Sequence, residues 1–332
     1  MSRYTGPTLI FGCGGVGGRT WESATDFKPV LEALSAEGGL THLDTAQLYG
    51  MGSSETVLGE CGAGTTFNFT IDTKAYGGFR AGSGTYENIV SNGLDSIKKL
   101  KVPQVDIFYL HAPDASVPIA ETLKGINELH QKGVFKRFGL SNFTAQDVRA
   151  VHDHASAHGY VKPSVYQGNY SPVARRADTE LFPTLRELGF GFYAYSPIAG
   201  GFLTKTKDQI LGGEGRFHQR DALGQMYSTM YAKPEMISAL EEWGRTAEAE
   251  GISKAELAYR WVAWHSEVKK DKGDGVIIGA RNEEQGIETI RGIKKGPLSK
   301  SAVDRIEKVW QLVKDVAPLD NYNSFTKDSG KV

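Results

Sequence analysis

A regular alternation of two kinds of segment is the feature of this 332-residue chain that most restricts its fold. Short apolar runs typical of buried strands alternate with longer stretches whose apolar residues recur at the spacing of amphipathic helices. The strand-like runs lie at 40–46, 67–74, 105–111, 135–141, 164–170 and 190–195, and the helical stretches lie at 54–61, 86–100, 119–132, 145–158 and 179–188. This alternation favours a parallel sheet whose strands are joined by right-handed crossovers.

The alternation is interrupted by a glycine-rich excursion over residues 197–233 and then resumes. The later segments are two helical stretches, an apolar strand, a helix and a weak last strand, at 234–250, 254–266, 276–278, 282–291 and 293–298. Eight strand–helix steps predict an α/β fold, a closed (β/α)8 TIM barrel formed by one domain spanning residues 1–332. The run at 8–11 then belongs to an N-terminal β-hairpin, and the excursion is a long loop after strand 6. A doubly wound open sheet is the alternative.

Composition narrows the classes of partner. The net charge of −1 argues against nucleic acid or an anionic membrane, because both require concentrated positive charge. The sequence shows neither an apolar run of the roughly 20 residues that span a membrane nor a signal-peptide core. Cys13 and Cys61 are too few for a disulfide framework, so we expect a reducing, cytoplasmic setting. We interpret His152, His154 and His158 as a solvated helix face and predict no metal site.

The segment Gly12–Gly17 formally fits the G-x-G-x-x-G pattern of dinucleotide-binding loops. Such a loop must open directly into a helix that packs on the sheet. Here helical periodicity begins only near residues 27–34, so a flexible turn is the favoured interpretation.

Four side chains with acid–base chemistry fall at the ends of three successive strand-like runs. Asp44 lies just inside the carboxyl end of the run at 40–46, Tyr49 follows the run in the loop, and Lys74 and His111 end the next two runs. For any one of them, a buried ion pair or simple packing is the ordinary explanation. All four at strand ends indicate a functional site, because the active sites of barrels lie at the carboxyl ends of the strands.

The types of these side chains suit proton donation. A phenol has an ordinary pKa of about 10, and a nearby ammonium group stabilises the phenolate and lowers that pKa. Asp44 can hold Lys74 in place, Lys74 can tune Tyr49, and His111 can hydrogen-bond the oxygen that receives the proton. A group of this kind protonates a developing alkoxide, so the partner reaction is hydride delivery to a carbonyl carbon.

Later strand ends carry groups suited to a nicotinamide cofactor. Ser141, Asn142 and Gln167 can donate and accept hydrogen bonds, as a carboxamide requires, and Tyr195 offers an aromatic face. The glycine-rich segment 196–205 supplies backbone amides for a pyrophosphate, with Lys205 as counter-charge. Arg281, just before a helix, suits a 2′-phosphate, and Arg216 is a second candidate.

Several motifs resemble the aldo-keto reductase superfamily, and the similarity spans nearly the whole chain. They are H-L-D-T-A-Q-L-Y-G at 42–50, T-K at 73–74, Y-L-H-A at 109–112, G-L-S-N at 139–142 and A-Y-S-P at 194–197. The segments L-F-P-T-L-R at 181–186, F-Y-A-Y-S-P-I-A-G-G-F-L-T-K at 192–205 and G-R-F at 215–217 resemble its aflatoxin B1 aldehyde reductase branch. The resemblance implies a (β/α)8 barrel that binds NADPH without a Rossmann domain and reduces a small-molecule carbonyl substrate.

The resemblance also implies roles for individual residues. Tyr49 corresponds to the proton donor, Asp44 and Lys74 to its tuning pair, and His111 to the group that orients the carbonyl; His111 and Tyr227 are the expected substrate contacts. The implied cofactor contacts are Ser141, Asn142, Gln167, Tyr195, Ser196, Pro197, Ile198, Ala199, Gly200, Gly201, Leu203, Lys205, Arg216, Gly279, Arg281 and Gln285. The branch further implies a possible homodimer.

Departures from the branch bear on the substrate. After Tyr227 the branch tends to carry arginines that hold a substrate carboxylate, whereas this chain reads S-T-M at 228–230. The branch also tends to end in an arginine, whereas this chain ends G-K-V at 330–332. We therefore expect a neutral or aromatic carbonyl substrate rather than a carboxylated one.

The tail from Pro318 is polar with two aromatic residues, Tyr322 and Phe325, and is compatible both with a cover over the barrel mouth and with a frayed end. Two other functions compete with a reductase. One is an NADPH-binding regulatory subunit with little turnover. The other is a metal-dependent sugar isomerase, which would require more clustered carboxylates than the strand ends carry.

Overall fold

Eight parallel strands form a closed barrel in the computed structural model, which describes residues 4–18 and 20–324. The strands are β1 (Thr8–Gly12), β2 (Leu40–Asp44), β3 (Thr70–Ala75), β4 (Val105–Leu110), β5 (Phe135–Ser141), β6 (Pro163–Asn169), β7 (Gly191–Tyr195) and β8 (Gly275–Ile278). They follow one another around the ring in chain order, and β8 pairs with β1 to close it. The predicted (β/α)8 barrel is therefore confirmed, and the open-sheet alternative is wrong.

Two strand assignments made from the sequence are wrong. The run predicted to form an N-terminal hairpin is β1, which pairs in parallel with both β2 and β8. The weak strand predicted at 293–298 overlaps a helix that ends at Lys294, because Ile290 and Ile293 are buried at helical spacing. Each barrel strand therefore stands one place later than predicted, and the long excursion follows the seventh strand rather than the sixth.

Helices surround the barrel, and many begin at a hydroxyl or carboxamide cap. They are α1 (Ala24–Glu37), α2 (Ser54–Glu60), α3 (Tyr86–Leu100), α4 (Ile119–Gln131), α5 (Ala145–Ala157), α6 (Ala177–Glu180), α7 (Phe182–Glu187), α8 (Lys207–Leu211), α9 (Ala222–Tyr231), α10 (Pro234–Glu250), α11 (Lys254–Trp264), α12 (Glu283–Lys294) and α13 (Lys300–Val313). Ser23 and Thr144 form capping boxes at the starts of α1 and α5, which satisfy backbone donors that a helix leaves free. None of the helices described here combines the length and the low polarity that a membrane crossing demands.

The apolar core has two parts. The larger part lies between the strands and the surrounding helices. A smaller cluster fills the inside of the barrel and consists of Ile10, Ile107, Tyr109, Val165, Tyr193 and Ile277. Because these side chains plug the barrel, polar groups at the carboxyl ends of the strands lie above a packed floor.

Candidate active site

Asp44, Lys74 and Tyr49 meet at the carboxyl ends of β2 and β3. The Lys74 Nζ atom lies 2.6 Å from Asp44 Oδ2 and 3.4 Å from Tyr49 Oη, and it also donates to the Thr45 carbonyl at 2.7 Å. The lysine side chain is fully buried, so its charge depends on these partners. The predicted contact between the ammonium group and the phenol is present.

Strand pairing explains how Tyr49 reaches this position. β2 and β3 are in register, and the pairing continues beyond β2 because Gln47 N donates to the Lys74 carbonyl at 3.0 Å. The chain then enters a short 3₁₀ turn at Tyr49–Gly52. The turn begins where the ladder stops, which keeps the Tyr49 hydroxyl beside the end of β3.

The glycine-rich loop after β1 packs against the Tyr49 turn. The Ser53 hydroxyl lies 2.6 Å from the carbonyl oxygens of both Gly17 and Gly50. Gly50 has a φ of 58°, and a Cβ atom there would come within 2.7 Å of the Val16 and Gly17 oxygens. The glycines therefore permit a close backbone contact, which agrees with interpreting the G-x-G-x-x-G segment as a turn.

Electrostatics at the phenol differ in one respect from the sequence-based expectation. Burial raises the pKa of Tyr49, and the Lys74 ammonium only partly offsets this effect. Burial lowers the pKa of Lys74, but Asp44 and Tyr49 more than offset it, and the net pKa is raised. The raised pKa keeps the Tyr49 hydroxyl protonated at neutral pH, and the residue is half-buried at the mouth.

His111 follows β4 directly and lies beside the phenol. Its ring is roughly perpendicular to that of Tyr49, with centroids 5.7 Å apart. Its Nδ1 atom is buried and has no hydrogen-bond partner among the described residues. Burial, and then the Lys74 charge, hold the pKa of His111 well below its ordinary value, so the imidazole is neutral at physiological pH. A neutral imidazole can donate one N–H to an oxygen atom.

Four polar side chains at the ends of β5, β6 and β7 adjoin this cluster. Gln167 Nε2 donates to Asp44 Oδ1 at 2.8 Å, a link that was not predicted. Asn142 Nδ2 donates to the His111 carbonyl at 2.8 Å and to Ser141 Oγ at 3.2 Å, while the Tyr195 hydroxyl donates to Asn142 Oδ1 at 2.8 Å. The Asn142 amide is thus engaged at both ends by the protein, and the expected cofactor groups are joined to the catalytic groups.

The segment after β7, here termed the cradle, has a tightly turned backbone. Ser196, Ala199, Gly200 and Gly201 all have positive φ, and the segment contains a 3₁₀ turn at Ala199–Thr204. The N–H groups of Ala199 and Gly201 donate to the Ser196 and Ile198 carbonyls, so a bound anion would share these donors with the turn. Pro197, Ile198 and Leu203 complete the segment, and the Leu203 carbonyl is fixed by Trp243 Nε1 at 2.9 Å.

Two cations converge beyond this cradle, around Gly215. A Cβ atom at Gly215 would lie 3.2 Å from Lys205 Cε and 3.8 Å from Arg281 Nη2. The Gln285 carboxamide oxygen accepts from Arg281 N at 3.1 Å, and the Tyr259 hydroxyl bonds both backbone groups of Gly279. Backbone amides followed by an ammonium and a guanidinium group form a donor set that fits the phosphates of a dinucleotide.

Arg216 and Tyr227 meet on the excursion that follows β7. Arg216 Nη1 donates to the Tyr227 hydroxyl at 3.1 Å, so an expected cofactor contact and an expected substrate contact are joined. A Cβ atom at Gly200 would come within 2.0 Å of the Tyr227 ring, so only glycine fits there. Ser228 Oγ donates to the Phe217 carbonyl, and Met230 is buried in the core.

Two aromatic side chains near His111 were not predicted as site residues. The Phe79 ring lies edge-on to His111 at 4.9 Å and to Tyr322 at 5.2 Å. Phe79 follows β3 in a loop, and Tyr322 belongs to the tail, so neither position follows from strand periodicity. Tail residues up to Ser324 lie at the mouth, whereas Phe325 and the terminal G-K-V are outside the described residues.

The three histidines on α5 do not assemble a metal site. His154 and His158 stack with centroids 4.0 Å apart, and His158 Nδ1 lies 2.8 Å from the His154 carbonyl. Within residues 4–18 and 20–324, no group of three or more potential ligands is close enough to hold an ion.

Sequence comparison finds one matching family model and several relatives of this chain. The sequence model of the aldo/keto reductase family matches residues 8–311. The oxidoreductase sirO of Leptosphaeria maculans is 37% identical over 320 residues, which cover 94% of this chain and 96% of that protein. Human aldo-keto reductase family 7 member A3 is 38% identical, and human aflatoxin B1 aldehyde reductase member 4 is 36% identical; each match covers 85% of this chain and 88% of the relative.

Proposed function

This chain belongs to the aldo/keto reductase family, and we propose that it reduces an aldehyde or ketone to the alcohol with NADPH. Membership supports oxidoreductase chemistry on carbonyl compounds. The observation that carries the finer proposal is the buried Lys74 ammonium group, which bridges Asp44 at 2.6 Å and the Tyr49 hydroxyl at 3.4 Å.

The proposed roles follow from charge. Bound NADPH supplies the hydride for the carbonyl carbon. Tyr49 gives its proton to the carbonyl oxygen as negative charge develops there, and Lys74 stabilises the resulting phenolate. Asp44 keeps the lysine charged and in place, and the neutral His111 imidazole donates a hydrogen bond to the same oxygen.

Preference for NADPH rests on the cations near Gly215. A 2′-phosphate distinguishes NADPH from NADH, and a guanidinium group close to a helix start suits such a dianion. Arg281 precedes the α12 cap residue Asn282, and the Lys205 side chain also lies beside Gly215. We assign Arg281 to the 2′-phosphate and the backbone of segment 196–205, with Lys205, to the pyrophosphate.

The substrate we propose is neutral or aromatic. Phe79, His111 and Tyr322 form an edge-to-face aromatic wall beside the phenol, which favours a flat apolar body. The side chain of Ser228 is bonded to the backbone and offers no positive charge to a carboxylate. Relatives named as aflatoxin B1 aldehyde reductases support an aldehyde as the reacting group.

Replacement of the proposed proton donor tests the mechanism. Tyr49→Phe should bind NADPH normally, measured by protein fluorescence, yet lose aldehyde-dependent NADPH oxidation by about 10²- to 10⁴-fold. Tyr160→Phe, on the far side of the barrel, is the matched control and should behave as the wild type. Near-normal turnover in Tyr49→Phe would reject the mechanism.

A panel of aromatic, aliphatic and carboxylated aldehydes tests the substrate class. We expect the lowest kcat/KM for the carboxylated compounds, because a carboxylate at the aromatic wall loses hydration without gaining a partner. The highest kcat/KM on a carboxylated aldehyde would overturn the substrate assignment but leave the mechanism standing. Tight NADPH binding without turnover of any compound would instead point to a nucleotide-sensing subunit.

A further inference from the structure

The C-terminal residues 320–324, here termed the C-terminal strap, contact the polar groups expected to face the nicotinamide. Building on the proposed function, we infer that Asn323 is a positioning residue that holds Asn142 and, with the strap backbone, Tyr195 in place for cofactor binding. Asn323 Nδ2 donates to the Asn142 carbonyl at 3.0 Å, and Asn321 N donates to the Tyr195 hydroxyl at 3.2 Å.

Asn142 is the residue through which the strap acts. Its φ of 61° lies in the left-handed region, which asparagine tolerates only at a small cost. Its amide connects the His111 carbonyl to the Tyr195 hydroxyl. A shift of the Asn142 backbone would therefore displace both the residue that orients the carbonyl and the aromatic ring expected to stack on the nicotinamide.

The strap is rigid enough to act as a support. The Asp320 carboxylate is 3% exposed and accepts hydrogen bonds from Tyr322 N at 2.9 Å and Asn323 N at 2.6 Å. It also accepts from Asn323 Nδ2 at 2.8 Å, so the carboxylate orients the amide that reaches Asn142. Ser324 Oγ accepts from Leu319 N and Asp320 N, which closes the turn.

Packing connects the strap to the substrate side of the mouth as well. The Tyr322 ring meets Phe79, which in turn meets His111. A Cβ atom at Gly78 would lie 2.4 Å from the Tyr322 hydroxyl, so the strap fits closely over this loop. Tyr322 anchors the strap beside Phe79, while Asn323 reaches the expected nicotinamide contact Asn142 by a side-chain hydrogen bond.

The test compares Asn323→Ala and Asn323→Asp with the wild-type full chain. Both variants lack the donor to the Asn142 carbonyl, and the Asp variant keeps the shape of the side chain. We expect NADPH to bind about 3- to 10-fold more weakly in each, as measured by quenching of protein fluorescence. We also expect kcat to fall while KM for a small aldehyde changes less, because the strap acts on the cofactor side.

Asn88→Ala is the matched control. Asn88 lies on α3, and its side-chain amide also donates to a backbone carbonyl, that of Gly82 at 2.9 Å. This control should leave NADPH binding unchanged. NADPH affinity within twofold of the wild type in both Asn323 variants would overturn the inference. Absence of NADPH binding by the wild type would overturn the proposed function as well, so the two failures are distinguishable.

A double-mutant cycle covers the case in which Asn323→Ala is poorly folded. Tyr195→Phe removes the hydroxyl that links Asn321 N to Asn142 Oδ1. Because both changes release the same residue, their effects on NADPH affinity should be less than additive, even if both variants are destabilised. Additive effects would show that Asn323 acts independently of Asn142 and would contradict the inference.

Discussion

Two aspartates that face each other in the barrel have opposite surroundings. Asp44 on β2 pairs in register with Asp72 on β3, and both are buried. Asp44 receives the Lys74 ammonium at 2.6 Å and Gln167 at 2.8 Å. Asp72 accepts only from Ile107 N at 3.1 Å, and its Oδ2 atom is buried with no partner among the described residues.

The surroundings of Asp72 favour its neutral form. Burial, and then the negative charges of Asp44 and Asp106, raise the pKa of Asp72 well above its ordinary value. The Tyr109 hydroxyl nearby is also buried, and within residues 4–18 and 20–324 it has no hydrogen-bond partner. Asp72, inside β3, is therefore a neutral acid, whereas Asp44 at the end of β2 forms an ion pair at the mouth. The position of the Lys74 ammonium group therefore decides that Asp44 is charged and takes part in the site, whereas Asp72 is neutral.

Removal of the Lys74 ammonium group should abolish the difference between Asp44 and Asp72, and we expect this change to have the largest effect. Lys74→Met should lower kcat/KM by about 10²- to 10⁴-fold, because the phenolate that forms on Tyr49 would no longer be stabilised. It should also destabilise the fold by about 3–5 kcal/mol, since Asp44 would be left buried without its partner. Steady-state kinetics and urea unfolding measure the two effects.

The double variant Lys74→Met with Asp44→Asn separates those two consequences. Removing both charges should restore much of the stability but none of the activity. Recovery of activity in the double variant would show that Lys74 acts only by neutralising Asp44.

Replacement of each aspartate by asparagine tests the same comparison, with smaller expected effects on kcat/KM. Asp44→Asn should lower kcat/KM by about 10- to 100-fold, the worth of one charge-assisted hydrogen bond. Asp72→Asn should leave kcat/KM within about twofold, because asparagine resembles the acid that is already neutral. An equal loss of activity in the two variants would contradict the assignment of opposite states.

The same pair predicts a difference in how stability depends on pH. Because the pKa of Asp72 is raised on folding, the folded chain holds that proton more tightly, and its stabilising effect is lost as the pH rises from about 4 toward the raised value. Asp72→Asn should thus gain stability over the wild type with rising pH, by at most about 1.4 kcal/mol per pH unit. Urea unfolding between pH 4 and 8 (roughly the linkage window) measures it. A difference in the free energy of unfolding between Asp72→Asn and the wild type that does not change with pH would contradict the prediction.

The smallest expected effect concerns His111, which lies beside the ion pair. Its lowered pKa keeps the imidazole neutral well below its usual titration near 6.5. The raised pKa of Tyr49 keeps the phenol protonated above neutrality. The kcat/KM for carbonyl reduction should therefore vary by no more than about twofold between roughly pH 6 and pH 8. A clear decrease in kcat/KM below the usual histidine range would show that His111 takes up a proton.

The catalytic groups at the barrel mouth were predictable from the sequence, because the positions of the strands show which residues lie at strand ends. Asp44, Lys74 and His111 each end or follow a strand, and the carboxyl ends of parallel strands meet at one edge. This inference survived the misassignment of β1, because any parallel strand carries its end to the same side. The glycines after β1 resembled a hairpin turn, so the pairing of β1 with β8 was not predicted.

Other features depend on loop shape or on burial, which periodicity does not determine. Phe79, Tyr322 and the contact between Arg216 and Tyr227 lie on loops or on helices that loops position. The net direction of the Tyr49 pKa was also wrong, since the effect of Lys74 was evident from the residue types but the larger effect of burial was not. Asp72 was not singled out, because the position of an aspartate in a strand does not indicate whether a cation contacts it.

Pairing of β1 with β8 has a consequence for how this chain acquires its structure. Thr8 lies opposite Gly275, so the ring cannot close until Gly275 has left the ribosome. Until then β1 and β7 present unpaired edges, which invite association with other chains. Contacts between residues so distant in sequence also slow folding, so nascent copies of this protein should depend on chaperones until β8 emerges.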